Sequence, residues 1–290
     1  MKLLVTQTLP ASVEAAIAEK FETTFRAGAP MRVVEAADAL QSYDAILPTL
    51  GDQFTAEAFS GQVRCKMLAN FGVGYNHIDV DAAKAAGVQV SNTPGAVTDA
   101  TADIAMTLML MTARRASEGE AMLRAGQWTG WAPTQLLGMH ITGKTLGVIG
   151  MGRIGKAIAK RCHFGFDMNV VCFNRSEVQE FEVPCHQLDS IEEVMEFADV
   201  VVLALPATAA TRHIIGAEAL AEMQSHAILI NIARGDIVDE TALISALQNG
   251  QIAGAGLDVY ENEPQVPQAL IDLPNCSLLP HLGTAALEVR

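Results

Sequence analysis

The segment Leu146-Gly147-Val148-Ile149-Gly150-Met151-Gly152-Arg153-Ile154-Gly155 carries residue types suited to cradling a phosphate. Gly150, Gly152 and Gly155 form G-x-G-x-x-G between an apolar run and a helix-forming stretch, Lys156-Ala157-Ile158-Ala159-Lys160. In that context the pattern points to a dinucleotide pyrophosphate. Gly150 permits a tight turn, Gly152 lets backbone approach the phosphates, and Gly155 lets helix and strand pack closely. The start of the helix, Arg153 and Ile154, adds free N–H groups and the positive end of a dipole. The bland alternative is a glycine turn that holds nothing.

The end of the next strand bears on which dinucleotide is held. A site for NAD usually places a carboxylate there to accept from the ribose 2′-hydroxyl. This chain reads Val170-Val171-Cys172-Phe173-Asn174-Arg175-Ser176. Neutral Asn174 takes the acidic position, Arg175 can pair with a 2′-phosphate, and Ser176 can donate to it. NADP(H) is therefore the preferred cofactor and NAD(H) the alternative. Against this, Arg175 could be a solvated loop cation, and Glu177 lies close by.

Three later segments place ionisable groups beside strand ends: Asn231-Ile232-Ala233-Arg234-Gly235, Gly256-Leu257-Asp258-Val259-Tyr260-Glu261-Asn262-Glu263-Pro264 and Leu279-Pro280-His281-Leu282-Gly283-Thr284-Ala285. Open α/β sheets bind ligands at such ends. Taken singly, Arg234 reads equally as a surface cation, Glu263 as a solvated turn residue and His281 as a core histidine.

The elements that must position these groups alternate short β-branched runs with Ala-rich periodic stretches, the pattern of parallel βαβ units. Strands are expected at Lys2–Gln7, Ala45–Thr49, Cys65–Asn70 and Val88–Ser91. Ser12 is expected to cap a helix whose Val13, Ile17 and Phe21 share a face. Asn92-Thr93-Pro94-Gly95 is a dense turn signal and a candidate hinge. A long helix from Asp99 to Arg115, apolar on more than one face, follows and is expected to be buried. A second series of strands at Thr145–Ile149, Asn169–Phe173, Asp199–Leu205, Ala227–Ile232, Ala253–Val259 and Ser277–Leu279 matches a doubly wound dinucleotide fold.

Composition narrows the partners. The 290 residues are half apolar and 18% charged, with a formal charge of −14. Such an acidic chain argues against nucleic acid and anionic membranes as partners. No apolar run reaches the ~20 residues of a spanning helix, and the N-terminus lacks a signal-peptide core, so a cytoplasmic protein is expected. The five cysteines show no C-x-x-C pair and the seven histidines no H-x-x-x-H spacing. Reduced thiols and no metal are expected.

Together the three segments, the glycine loop, Phe71-Gly72-Val73-Gly74-Tyr75-Asn76-His77-Ile78-Asp79 and Asn92-Thr93-Pro94-Gly95-Ala96-Val97-Thr98-Asp99-Ala100-Thr101-Ala102-Asp103 closely resemble the D-isomer-specific 2-hydroxyacid dehydrogenases over nearly the whole chain. Within that family the chain is most similar to the glyoxylate/hydroxypyruvate reductases, through Gly126-Gln127-Trp128-Thr129-Gly130-Trp131-Ala132-Pro133 and the neutral turn at Asn174.

The resemblance implies an α/β protein of two doubly wound domains with the active site between them. A Rossmann cofactor domain (96–282) would be inserted in a smaller flavodoxin-like substrate domain (1–95 and 283–290). Arg234 would pair with the substrate carboxylate and polarise the keto oxygen, His281 would protonate that oxygen, and Glu263 would accept a hydrogen bond from His281. An ionised carboxylate there favours the imidazolium. The N–H groups of Val73 and Gly74 would hold the substrate carboxylate. Leu205, Pro206 and Thr211 would line the adenine side, and Ile232, Ala233, Asp258, His281 and Gly283 the nicotinamide end, with Asp258 accepting from the carboxamide.

The implied activity is reduction of a small 2-oxo acid, glyoxylate or hydroxypyruvate, with NADPH. The alternatives are an NAD-dependent dehydrogenase of another acid and a dinucleotide-sensing regulatory protein. The apolar Ile104–Met111 helix and the Trp128–Trp131 arm suggest a homodimer, in which Trp131 would reach the neighbouring subunit's pocket; the alternative for the helix is a place in the chain's own core. The family would continue past Arg290 with a helix returning to the first domain.

Overall fold

The computed structural model describes residues 1–290, which divide into two compact units. Unit 1 comprises Met1–Val97 with Ala286–Arg290, and unit 2 comprises Thr98–Ala285.

Unit 1 runs β1 (Lys2–Val5), α1 (Ala11–Ala18), β2 (Glu22–Phe25), α2 (Val33–Ser42), β3 (Ala45–Leu47), β4 (Met67–Ala69), α3 (Val80–Ala85) and β5 (Gln89–Ser91). Its parallel sheet has the order β2-β1-β3-β4-β5. The unbroken apolar run Leu3-Leu4-Val5 fits a strand covered on both faces, as parallel sheets require. Leu4 joins Leu40, Ile46, Phe54 and Leu68 in one core, and Leu3 and Val5 join Leu9 and Ala45 in another. Helix α1 corrects the expected cap. It starts at Ala11 after Pro10, Ser12 lies inside it, and no side chain caps it. Proline's fixed φ suits a helix start. Val13, Ile17 and Phe21 do pack together against the core.

Unit 2 opens with α4 (Thr98–Ala113) and α5 (Ala116–Arg124). The single long helix expected to Arg115 ends at Ala113, and Arg115 is left-handed at φ 51°. Ala102, Ala105, Leu108 and Met109 of α4 are buried, whereas Leu110 is exposed, so burial follows one face rather than the whole girth. Then come β6 (Thr145–Ile149), α6 (Arg153–Phe166), β7 (Asn169–Phe173), β8 (Cys185–Gln187), α7 (Ile191–Phe197), β9 (Val200–Leu203), α8 (Ala217–Ala221), β10 (Ile228–Asn231), α9 (Glu240–Gln248), β11 (Gly254–Leu257), α10 (Gln268–Ile271) and β12 (Cys276–Leu278). All neighbours in the sheet β12-β11-β10-β9-β6-β7-β8 are parallel. The seventh strand, β8, is one more than the sequence pattern predicts. Residues of the central strands are buried on both faces, in one core with α7, α8 and α9 and in another with α4 and α6. The strand order reverses between β6 and β9, which makes their C-terminal ends the switch point where doubly wound folds bind ligands. No helix is long and apolar enough to cross a membrane.

Candidate active site

The glycine turn sits at that switch point. Gly150 has φ +100°, and a Cβ there would lie 2.7 Å from the carbonyl carbon of Ala204. Only a residue without a side chain lets the turn rest on the end of β9. Gly155 lies under the turn, where a Cβ would come 2.4 Å from the Gly150 carbonyl oxygen. Gly152 differs from both. It flanks the first turn of α6, and a Cβ on it would meet nothing within 4 Å. Open space beside the N-terminus of a 14-residue helix is the arrangement that receives a phosphate.

Beyond β7 the Asn174 side-chain amide donates to the Ser176 carbonyl (2.9 Å) and hydroxyl (3.2 Å), folding the loop on itself. Arg175 is exposed and forms no ion pair. Gln187 of β8 clamps this loop, donating to the carbonyls of Asn174 (3.0 Å) and Ser176 (3.2 Å) and accepting from the Val178 N–H (2.8 Å). After β9, the Thr211 hydroxyl donates to the Pro206 carbonyl (2.9 Å) and accepts from the Thr208 N–H (2.8 Å), closing the loop that begins at Leu205.

The ends of β10, β11 and β12 carry the ionisable groups. His281 Nδ1 lies 2.7 Å from Glu263 Oε2, and Glu263 Oε1 accepts from the Tyr260 N–H at 3.0 Å. Burial alone would raise the Glu263 carboxyl. The hydrogen bond and charge of His281, the Tyr260 N–H and the Arg234 guanidinium outweigh it and hold the group below its ordinary range. Burial pulls Arg234 below its ordinary value, against Glu263 and Asp236. Arg234 and His281, 47 positions apart, thus both act on Glu263.

Backbone geometry enforces this meeting. A Cβ on Gly235 would fall 1.8 Å from the Tyr260 carbonyl carbon, so the Arg234 turn lies directly against the Tyr260–Glu261 peptide. The Asn231 side chain braces that turn, donating to the Arg234 carbonyl (2.9 Å) and accepting from the Ala233 N–H (3.0 Å). The buried Tyr260 hydroxyl bonds the carbonyls of Leu257 (3.3 Å) and Leu279 (2.9 Å), tying β11 to the strand end that leads to His281. His281 itself is left-handed at φ 56°. Its N–H donates to the Asp258 carbonyl (2.9 Å), and the Leu282 and Gly283 N–H groups donate to the two Asp258 carboxylate oxygens at 2.6 and 2.7 Å. Burial nevertheless raises the Asp258 carboxyl. Ile232 and Ala233, which lead into Arg234, are buried.

In unit 1, the loop Gly72-Val73-Gly74 is held by its carbonyls. The Asn70 side chain donates to Gly72 and Gly74, both at 3.0 Å, and Asn92 donates to Val73 at 2.8 Å. The N–H groups of Val73 and Gly74 donate to no other group of the chain.

Residues 106–283 match the NAD-binding domain of the D-isomer-specific 2-hydroxyacid dehydrogenases. The chain belongs to this family. It is 43% identical over 256 residues to a glyoxylate reductase of Pyrococcus horikoshii, covering 87% of this chain and 76% of the relative. It is 37% identical over 294 residues to a glycerate dehydrogenase of Hyphomicrobium methylovorum, covering 100% and 91%. The structure of an NADPH-dependent glyoxylate/hydroxypyruvate reductase from Sinorhizobium meliloti, in complex with NADP and malonate, superposes with a TM-score of 0.88 at 35% identity, covering 99% of this chain and 88% of that one.

The dehydrogenase retains a cradle that fits a nicotinamide dinucleotide: open backbone at Gly152, the helix start behind it, and side-chain-free turns at Gly150 and Gly155. Tyr260 and Asn231 brace the turns that carry His281 and Arg234, and in unit 1 Asn70 and Asn92 hold the Gly72–Gly74 loop; sequence reasoning assigned none of the four this bracing role. Their signal was adjacency to the chemistry-bearing residues, but bracing by backbone contacts leaves no pattern of spacing.

Proposed function

We propose that this dehydrogenase reduces a small 2-oxo acid, glyoxylate or hydroxypyruvate, to its 2-hydroxy acid with NADPH. The observation that carries the reading is the His281–Glu263 contact within the field of Arg234. An ionised Glu263 accepts a hydrogen bond from the His281 Nδ1–H and fixes the ring's orientation, leaving the Nε2–H to deliver its proton to the substrate's keto oxygen. Arg234 pairs with the substrate carboxylate and draws electron density from the carbonyl. A bound dinucleotide supplies the hydride. Asp258 holds the turn carrying His281, and its remaining lone pairs are suited to a carboxamide N–H.

NADPH over NADH rests on Arg175 and Ser176. Arg175 has no competing carboxylate partner, and Asn174 puts no negative charge beside a 2′-phosphate. The names of the Pyrococcus and Sinorhizobium relatives support the substrate class and the cofactor.

The test is a panel of glyoxylate, hydroxypyruvate and pyruvate, each with NADPH and NADH, followed by absorbance of the reduced nicotinamide. Turnover of the first two with NADPH at least tenfold above NADH is expected, a difference of about 1.4 kcal/mol in transition-state binding. Equal use of both cofactors would overturn the argument from Arg175. Tight dinucleotide binding with no reduction of any 2-oxo acid would favour a sensor instead.

A further inference from the structure

Five cysteines scattered along the sequence look unrelated, yet the fold brings two of them together. Cys172 on β7 and Cys185 on β8 place their sulfurs 3.1 Å apart, with the Cys185 thiol donating to Cys172. Val170 pairs with Cys185 and Cys172 with Gln187, so the sulfurs approach along the diagonal between adjacent strands. Strand β8 has three residues and only one neighbour in the sheet. Cys185 is half-buried and Cys172 fully buried.

We propose that Cys172 and Cys185 are a reversible oxidation site, converted by a peroxide to a disulfide that displaces edge strand β8 and loosens the Asn174–Ser176 loop. The chemistry balances with the peroxide as sole oxidant. The Cys172 thiolate takes the proton of half-buried Cys185, whose sulfur attacks one peroxide oxygen. The O–O bond breaks, that proton passes to the leaving oxygen as water, and a sulfenic acid remains on Cys185. The Cys172 sulfur then attacks that sulfur. The S–S bond forms, the S–O bond breaks, and a second water carries away the oxygen and the remaining proton. Two thiols are oxidised and one peroxide is reduced to two waters.

The local chemistry sets this pair apart from the other thiols. The hydrogen bond from Cys185 holds Cys172 below the ordinary thiol range against burial, so the pair loses its first proton more readily than an isolated buried thiol. Donation to Cys172, burial and the charge of Cys172 raise Cys185 in turn, against the Lys156 ammonium, so the first proton lost leaves a thiolate on Cys172 beside a protonated Cys185. Burial pushes Cys162 and Cys276 each up to about 12, and Cys65 upward as well, and none of the three has a second thiol hydrogen-bonded to it.

Closing 3.1 Å to a covalent S–S bond requires β8 to move, and β8 carries Gln187, the clamp on the Asn174–Ser176 loop. The effect on affinity rests on the cofactor reading above, whereas formation of the disulfide does not.

The experiment uses the whole chain. The reduced protein is first titrated with NADPH and NADH. It is then treated with hydrogen peroxide, alkylated, digested and weighed. A peptide pair joined through Cys172 and Cys185, lighter by two hydrogens and separated by dithiothreitol, is expected. Oxidation should raise the Kd of the tighter-binding dinucleotide roughly tenfold, the effect of losing one or two hydrogen bonds, and reduction should restore it. Cys185→Ser should show neither change, and Cys172→Ala provides a second control. Absence of the joined peptide, or a joined peptide with unchanged affinity, would overturn the proposal. If the reduced protein fails to prefer NADPH, the 2′-phosphate reading falls while the joined peptide still decides the thiol site.

Discussion

His281 engages Glu263 through Nδ1, and in the function proposed above Nε2 is the nitrogen that serves the substrate. Removing the ring should therefore cost chemistry and spare binding. His281→Ala is expected to lower turnover by ~10²–10⁴-fold, with dinucleotide affinity measured by fluorescence titration retained. Full turnover in the variant would remove His281 from its role. Glu263 also makes a prediction for stability. Its folded pKa lies below the ordinary 4.5, so between the two values the unfolded chain binds more protons. The stabilisation is complete above 4.5 and disappears as pH falls through the folded value. Thermal melts of the native protein and Glu263→Gln should differ near neutrality and converge in acid. A gap that stays constant into acid would contradict this coupling.

At the scale of elements, the glycines separate folding from binding. Gly235→Ala forces a Cβ into the Tyr260 peptide and should cost ~3 kcal/mol, roughly 6–12 °C in Tm. Gly152→Ala meets open space, so its folding cost should stay near the ~1 kcal/mol of an altered helix cap. Its Kd for the dinucleotide should nevertheless rise at least tenfold, because the methyl group enters the phosphate space. Calorimetry beside titration checks both variants. A Gly152→Ala protein that binds normally would place the phosphates elsewhere.

These contrasts also show what was readable in advance. The G-x-G-x-x-G turn was legible because its spacing follows from sterics that a phosphate imposes. Central strands such as Val200–Leu203 were legible because burial on both faces demands unbroken apolar runs. Strands β2 and β8 were not, since Glu22-Thr23-Thr24-Phe25 and Cys185-His186-Gln187 are short edges with little apolar signal. The break at Arg115 was hidden for a different reason: its left-handed backbone belongs to a residue that ordinarily continues a helix. Asp258 was read for what a ligand would ask of it. Its hold on Leu282 and Gly283 depends on the path of a turn 24 residues away, which local pattern does not encode.

On the scale of the whole molecule, each unit has its own two-sided sheet and its own cores. Leu123, Trp128, Trp131 and Leu137 of unit 2 remain exposed, with Trp131 81% accessible. Large apolar side chains gathered within one short stretch mark an association surface. A homodimer is therefore expected, sedimenting at about twice the 30.8 kDa chain mass, and Trp131→Arg should shift it toward monomer. A native chain that sediments as a monomer at every concentration would exclude that surface.

The contact between Gly235 and Tyr260 has a practical bearing on redesign. Candidate catalytic side chains mounted on mutually wedged peptides cannot be retuned one by one, because relocating any of them means rebuilding its neighbour's main chain. The self-folded turn after β7, with an unencumbered cation at its tip, carries no such obligation. Laboratory evolution toward a different electron donor should therefore find accepted changes there first, and find the histidine end almost immovable.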